Sequence, residues 1–102
     1  MAKLDNKKFL VCDPTGMGNA LMMRLSLEKV LKKHGIQPAK VLACLFDDAK
    51  VVAPEYDVVF CGQDFVSVFD AAQKKRTLVL GLKSPASDRE MERLLWEAEL
   101  LN

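Results

Sequence analysis

The sequence has few of the residues that build metal sites and disulfide frameworks. It contains one histidine, His34, and three cysteines, an odd number that does not suit a disulfide framework. None of the cysteines stands in a C-x-x-C pair, which counts against a thioredoxin-like redox site or a zinc ribbon. A single histidine also disfavours a cysteine–histidine metal site, so we expect no bound metal.

Long apolar runs and an excess of one charge are missing as well. No run is long enough to span a bilayer, and the run at 9–12, behind the charged amino terminus, is too short for a signal peptide. Fifteen Lys and Arg stand against 14 Asp and Glu without a basic stripe, which disfavours nucleic-acid binding. We expect a cytoplasmic, monomeric protein in which residues 1–102 form one domain.

Four short apolar runs alternate with segments of helical pattern. The runs are 9–12, 41–45, 58–61 and 78–82, and their lack of polar alternation is typical of strands covered on both faces. The repeated strand–helix order predicts an α/β fold, a three-layer α-β-α sandwich around a four-stranded parallel sheet of the Rossmann-like or flavodoxin-like kind. In such folds ligands bind beyond the carboxyl ends of the strands.

The helices are predicted at 18–33, 46–52 and 65–73, with a fourth that begins after 84. Gly35 suits a left-handed cap for the first helix, Asp64 an N-cap for the third, and Ser84, followed by Pro85, an N-cap for the fourth. A second capping box is available at Ser87-x-x-Glu90. The predicted inward-facing positions are Leu21, Leu25, Val30, Leu31, Phe65, Val66, Phe69, Met91, Leu94, Leu95, Ala98 and Leu101.

Cys12 ends the first apolar run, and a glycine-bearing loop separates it from the first helix. The free N–H groups at a helix start favour a thiolate over a thiol of ordinary pKa, about 8.5, and they also hold a phosphate. Gly16 and Gly18 let the backbone approach such a group, and Thr15 and Asn19 add side-chain donors. Cys12 is therefore a candidate nucleophile, although cysteine is also a common buried core residue.

Several familiar phosphate sites do not fit this loop. A Walker loop needs Lys and then Ser or Thr after its last glycine, whereas Asn19-Ala20 follow Gly18. A Rossmann fingerprint needs a third glycine. The common cysteine phosphatases carry an arginine six residues after their cysteine, and that position is Gly18. A carrier that passes its phosphoryl group onward can work without that arginine.

The chain resembles the enzyme IIB component of the bacterial sugar phosphotransferase system, in its ascorbate, lactose or galactitol types. The resemblance rests on Leu10-Val-Cys12, on Gly16-Met-Gly18 and on Leu21-Met-Met-Arg-Leu25, and it continues more loosely through the later strands. It implies that Cys12 accepts phosphate from a histidine of a IIA partner and passes it to a sugar held by a membrane IIC partner. No metal or organic cofactor is implied.

The same resemblance implies that the backbone from Asp13 to Asn19 cradles the phosphate. The cradle residues would be Asp13, Pro14, Thr15, Gly16, Met17, Gly18 and Asn19. The family loop commonly reads C-x-x-G-x-G or C-x-x-G-x-S followed by hydroxyl residues, whereas this chain has one additional residue before Gly16 and no hydroxyl pair. Asp13 also places an acid beside the expected phosphocysteine.

Two other functions remain open at the level of sequence. One is a diverged, non-catalytic interaction or regulatory module that keeps the IIB fold, motivated by Asp13 and the missing hydroxyl residues. The other is a small flavodoxin-like or nucleotide-binding domain that uses Gly16-x-Gly18. The methionines at 17, 22 and 23 suit either a partner-docking patch or core filling, and 62–64 suits the rim of a docking site. Cys44 and Cys61 are expected to be core residues.

Overall fold

The computed structural model describes residues 3–84 and 86–101. Four strands alternate with helical segments along these residues. The strands are β1 Lys8–Asp13, β2 Lys40–Leu45, β3 Val58–Gly62 and β4 Leu78–Leu82. The α-helices are α1 Met17–Lys33, α2 Phe46–Val52, α3 Asp70–Lys74 and α4 Asp88–Glu97. Two 3-10 helices lie at Ala53–Glu55 and Gln63–Phe69.

The strands form one parallel sheet in the order β2-β1-β3-β4. β1 is central, and all of its residues except the first are buried. The chain moves from β1 outward to β2 and then returns to the other side of β1, so the order reverses between β1 and β3. Crevices at such a reversal are the usual ligand sites of α/β sheets.

Two hydrophobic clusters fill the spaces above and below the sheet. The upper cluster joins the sheet to α1 and α4 through side chains such as Met23 and Met91. The lower cluster joins it to α2 and α3 and includes Ala49, Phe69 and Ala72. The predicted three-layer α/β sandwich with a four-stranded parallel sheet is therefore confirmed.

The buried stripe of α1 differs from the predicted one. Leu21 and Leu25 are 38% and 54% exposed, so their assignment to the core was wrong. The stripe runs instead through Ala20, Met23, Leu27, Val30 and Leu31, which follows the i, i+3, i+7 spacing of one helix face. Leu21 and Leu25 lie on the flank of that stripe, and the sequence pattern alone fits both phases of the helix.

The carboxyl end of α1 is closed as expected. Gly35 has a φ of 66°, the left-handed conformation that glycine adopts without a Cβ clash. Its N–H donates to the carbonyl of Lys32 at 3.1 Å, and the N–H of Ile36 donates to the carbonyl of Leu31 at 2.9 Å. These two bonds form a Schellman motif, with Ile36 and Leu31 both in the upper cluster.

Of the two N-caps predicted for α4, Ser87 is confirmed and Ser84 is wrong. The helix begins at Asp88, and its N-cap is Ser87, whose hydroxyl accepts a hydrogen bond from the N–H of Glu90 at 3.2 Å. Ser84 is not the cap; its N–H donates to the Glu90 carboxylate, as does the N–H of Lys83, both at 2.8 Å. Glu90 thus anchors the end of β4 to α4, and Pro85 lies outside the described residues.

The third predicted helix is mostly a 3-10 helix. Residues Gln63–Phe69 form the tighter helix, and only Asp70–Lys74 are α-helical, so Asp64 is not an N-cap. A close approach of the backbone accompanies this geometry. A Cβ added to Gly81 in β4 would lie 2.7 Å from Cγ2 of Val66 and 2.8 Å from Cα of Gln63.

We expect Gly81→Ala to destabilise the fold by about 1–3 kcal/mol, because the new methyl group overlaps backbone that cannot move independently of the sheet. Gly18→Ala is the matched control, since a Cβ at Gly18 meets nothing within 4 Å and alanine favours a helix over glycine by about 0.5–1 kcal/mol. Urea unfolding measures both. Equal stability of the two variants would contradict the close approach.

Candidate functional site

Cys12 points away from the loop that follows β1. Successive side chains of a strand point to opposite faces of the sheet. Leu10 and Cys12 therefore belong to the lower cluster, whereas Phe9 and Val11 belong to the upper one. Cys12 is 0% exposed, and its Sγ lies 3.9 Å from the carbonyl oxygen of Phe60 in the neighbouring strand.

This position favours the neutral thiol of Cys12 over the thiolate. Burial is the largest cause that raises its pKa above the ordinary value, and Cys61, Cys44 and Asp13 add smaller effects in the same direction. α1 packs on the upper face of the sheet, whereas the Cys12 side chain lies in the lower cluster. A nucleophilic cysteine needs a depressed pKa and access, and this environment supplies neither.

Asp13, the last residue of β1, occupies the position that faces the loop. It lies two residues after Val11, so its side chain points to the upper face, from which α1 begins. The N–H of Gly16 donates to the carbonyl of Asp13 at 3.2 Å and closes a four-residue turn. Asp, Pro and Gly at the first, second and fourth turn positions are typical of a type I turn.

The side chains of the loop converge on the Asp13 carboxylate. Thr15 Oγ1 donates to Asp13 Oδ2 at 2.6 Å, and Asn19 Nδ2 donates in turn to Thr15 Oγ1. Thr15 and Asn19 are the two side chains expected to bind phosphate, and here Thr15 donates to Asp13 while Asn19 donates to Thr15. Gly16 has a φ of 136°, which requires glycine, whereas nothing crowds Gly18.

Two surface clefts meet at Asp13, one on each side of the end of β1. Both contain acidic side chains, and one also contains Lys83. The first cleft is lined by Asp13, Gly62, Gln63, Asp64, Phe65, Leu82 and Lys83. The second is lined by Asp13, Pro14, Gly16, Leu45, Phe46, Asp47 and Asp48. Residues 62–64 therefore line a cleft next to Asp13, and their part in docking stays a prediction.

An exposed apolar surface adjoins this loop. Met17, Leu21 and Leu25 are 36–54% exposed and follow the i, i+4, i+8 spacing of one stripe of α1. Leu45 is 50% exposed and pairs in register with Asp13 across β1 and β2. Met22 is exposed on the same helix, whereas Met23 is core. We call Met17, Leu21, Leu25 and Leu45 the apolar face.

The remaining chemically active side chains lie elsewhere. Cys61 is buried, Cys44 is half-buried, and both pack in or against the lower cluster. His34 pairs with Glu92 at 2.6 Å between α1 and α4, and these two side chains are remote from the loop in sequence and topology. Within residues 3–84 and 86–101, no group of three or more His, Cys, Asp or Glu side chains is placed to hold a metal ion.

Comparisons with known proteins agree with this architecture. The family model described as the lactose/cellobiose-specific IIB subunit of the phosphotransferase system matches residues 8–97. The chain belongs to this family. A solved structure of the lactose-specific IIB component domain from Streptococcus pneumoniae superposes with a TM-score of 0.65 and 9% identity, covering 91% of this chain and 97% of that one. No curated protein sequence matches.

Membership connects the chain with a IIB role in phosphotransfer, in a system whose IIB subunits work with IIA and IIC components. The resemblance stated above implies a C-x-x-G pattern for the loop. When that pattern is aligned on Gly16, its first position is occupied by Asp13 and not by Cys12. Among the described residues, no helix is both long and apolar enough to cross a membrane.

Alkaline stability provides a test of the buried thiols. Burial raises the pKa of Cys61 to about 12, and it raises that of Cys12 as well. Unfolded cysteine loses its proton near pH 8.5, at which the native thiols are still protonated. The unfolded state therefore holds fewer thiol protons above that pH, so the contribution of these two cysteines to stability falls as pH rises from about 8.5 towards 12.

We expect Cys61→Ala to show a shallower decline than the parent in urea unfolding between about pH 8 and pH 10, since one of the buried thiols is gone. Below about pH 8 the two proteins should respond to pH alike. The comparison of slopes removes the contributions that the two proteins share. Identical slopes above pH 8.5 would contradict the burial of a protonated Cys61.

Proposed function

We propose that this chain is a IIB-type subunit that docks with partners of the phosphotransferase system through the loop after β1, without carrying phosphate on Cys12. The orientation of Cys12 is the observation that supports this proposal most directly. Its thiol faces the lower core, and the loop presents the Asp13 carboxylate instead. This is the interaction-module alternative, acting through the surface that the loop and the apolar face form together.

Transfer through Cys12 would require a large rearrangement of the sheet. In-line attack brings sulfur and phosphorus to about 3–3.5 Å before reaction. Phe60 lies beside Cys12 in β3, and Cys44 is its register partner in β2, so the thiol is enclosed by both neighbouring strands. Opening a central strand approaches the free energy of global unfolding. An opening step of that free energy is too costly to occur in every catalytic cycle.

The family gives a specific competing hypothesis, which stays a prediction. In it, Cys12 accepts a phosphoryl group from a IIA histidine and transfers it to a sugar held by IIC. The histidine nitrogen–phosphorus bond would break as a sulfur–phosphorus bond forms. The nucleotide or flavin alternative has less support, because Gly16-x-Gly18 lacks a third glycine and the side chains of Thr15 and Asn19 already donate to Asp13 and Thr15, respectively.

Phosphoryl labelling decides between these hypotheses. Incubation with enzyme I, the histidine carrier protein, a lactose-type IIA and labelled phosphoenolpyruvate should leave no thiol-linked label on the chain, because the Cys12 sulfur is inaccessible. Cys12→Ser should behave as the parent does. A IIB subunit with cysteine at the first position of its C-x-x-G loop serves as the positive control.

Stoichiometric, acid-sensitive label that disappears in Cys12→Ser but persists in Cys44→Ser would overturn this part of the proposal. Cys44 is the suitable comparison, because it is the register partner of Cys12 in the adjacent strand. Such a result would mean that the chain adopts a second conformation in which the Cys12 thiol is exposed.

Docking has its own test at the apolar face. We expect Leu21→Glu to weaken binding to a lactose-type IIA at least about tenfold, because the charge would be desolvated in the centre of the contact. Val51→Glu is the matched control, since Val51 is 78% exposed on α2, beneath the sheet. Isothermal titration measures both affinities. Equal loss in the two variants would place the contact elsewhere.

A further inference from the structure

We propose that Asp13 makes the loop a detector of the unphosphorylated IIA partner, so that the chain binds a protonated histidine and rejects a phosphohistidine. The inference rests on the docking proposed above and adds to it the chemistry of the recognised group. The partner surface must therefore carry a cationic group opposite Asp13 and apolar side chains around it.

The carboxylate and the apolar face lie together at one end of the sheet. Asp13 and Leu45 are register partners, and both point to the upper face, as Val11 and Ala43 do two residues earlier. Met17 opens α1 directly after the turn formed by residues 13–16. A protein seated on these side chains would therefore meet the Asp13 carboxylate at the edge of an apolar contact.

Asp13 is oriented for such a contact. The residue is 8% exposed, and Thr15 holds one carboxylate oxygen while Asn19 holds Thr15. Among the described residues, no basic side chain forms an ion pair with Asp13 within 4 Å. A partly buried carboxylate without a cation gains more from a cationic partner than an exposed one does, because the surrounding dielectric is lower.

The neighbouring charges favour a cation and oppose a phosphoryl group. Asp47 and Asp48 line one cleft with Asp13, and Asp64 lines the other. Lys83 lies in the cleft that Asp64 lines, and Lys50 is paired with Asp47 at 3.2 Å. Four carboxylates thus face two ammonium groups and the uncapped amino end of α1, whose partial positive charge is about half an elementary charge, so negative charge still exceeds positive charge around the loop. A phosphohistidine would bring further negative charge to this rim, whereas an imidazolium would reduce the repulsion.

The same observations argue against Asp13 as a phosphoryl acceptor. The side-chain donors that would stabilise a phosphoryl group on the carboxylate, those of Thr15 and Asn19, are already engaged with each other and with Asp13. The flanking acids would repel the incoming group as well. A fixed carboxylate therefore replaces the transferable anion at this position.

The experiment measures the affinity of the full chain for a purified lactose-type IIA, in its unphosphorylated form and after phosphorylation by enzyme I, the histidine carrier protein and phosphoenolpyruvate. We expect binding of the unphosphorylated form to be at least about tenfold tighter. Asp13→Asn keeps the size of the side chain and an oxygen for Thr15, and it should reduce this preference to about threefold or less. Glu55→Gln, at the opposite end of the sheet, removes the same charge and should leave the preference unchanged.

A second measurement needs no variant. Binding of the unphosphorylated form should weaken as pH rises from about 6 to about 8, because the partner's imidazole loses its proton in this range.

Equal affinity for the two forms, tighter binding of the phosphorylated form, or an Asp13→Asn variant that keeps the full preference would each overturn the detector while leaving docking intact. Hydroxylamine-sensitive label on Asp13 would overturn it in favour of an acyl phosphate. No binding of either form would overturn the docking proposal and the detector together.

Discussion

The alternation of side chains along β1 is the constraint on which the site depends. β1 is the central strand, buried on both faces, so consecutive residues must enter different cores. Cys12 and Asp13 are neighbours in sequence, but one faces the lower cluster and the other faces the loop. A shift of one residue in the strand would exchange them, and it would also move Phe9 and Val11 out of the upper core. The packing of the whole sheet therefore determines which of the two side chains meets a partner.

The lower cluster explains why a thiol is stable at position 12. Its helices approach the sheet through small side chains, Ala49, Ala53 and Ala72, and cysteine is comparably small. Cys61 lies in the same layer on the adjacent strand. Such a layer stabilises neutral thiols by excluding water, which is the condition least favourable to a thiolate. Structural packing and nucleophilic chemistry thus make opposite demands on Cys12.

The sequence was sufficient for the order of elements and for the sheet, since four apolar runs separated by helical patterns have few parallel arrangements. The sequence could not show which side chains of β1 point to the upper face and which to the lower face, because a strand buried on both sides has no alternation of polar and apolar residues. The phase of α1 failed similarly, because Leu21 and Leu25 match the helical period as well as Met23 and Leu27 do. The spacing from Gly16 back to Asp13 does indicate that Asp13, and not Cys12, takes the first position of the C-x-x-G pattern. The structure was needed to show this, because only the observed end of β1 places Cys12 within the strand and not in the loop.

An acid beside a phosphate cradle first suggests an impaired site, but the contacts of Asp13 favour a different interpretation. Like charges about 4 Å apart cost about 4 kcal/mol at the dielectric typical of a protein surface, so a carboxylate and a phosphoryl group would not share this loop without a cation between them. The loop instead forms a complete hydrogen-bond chain from Asn19 through Thr15 to Asp13. The Thr15 hydroxyl donates to the Asp13 carboxylate and holds it in place, so the loop carries a fixed negative charge that a cationic partner group can neutralise.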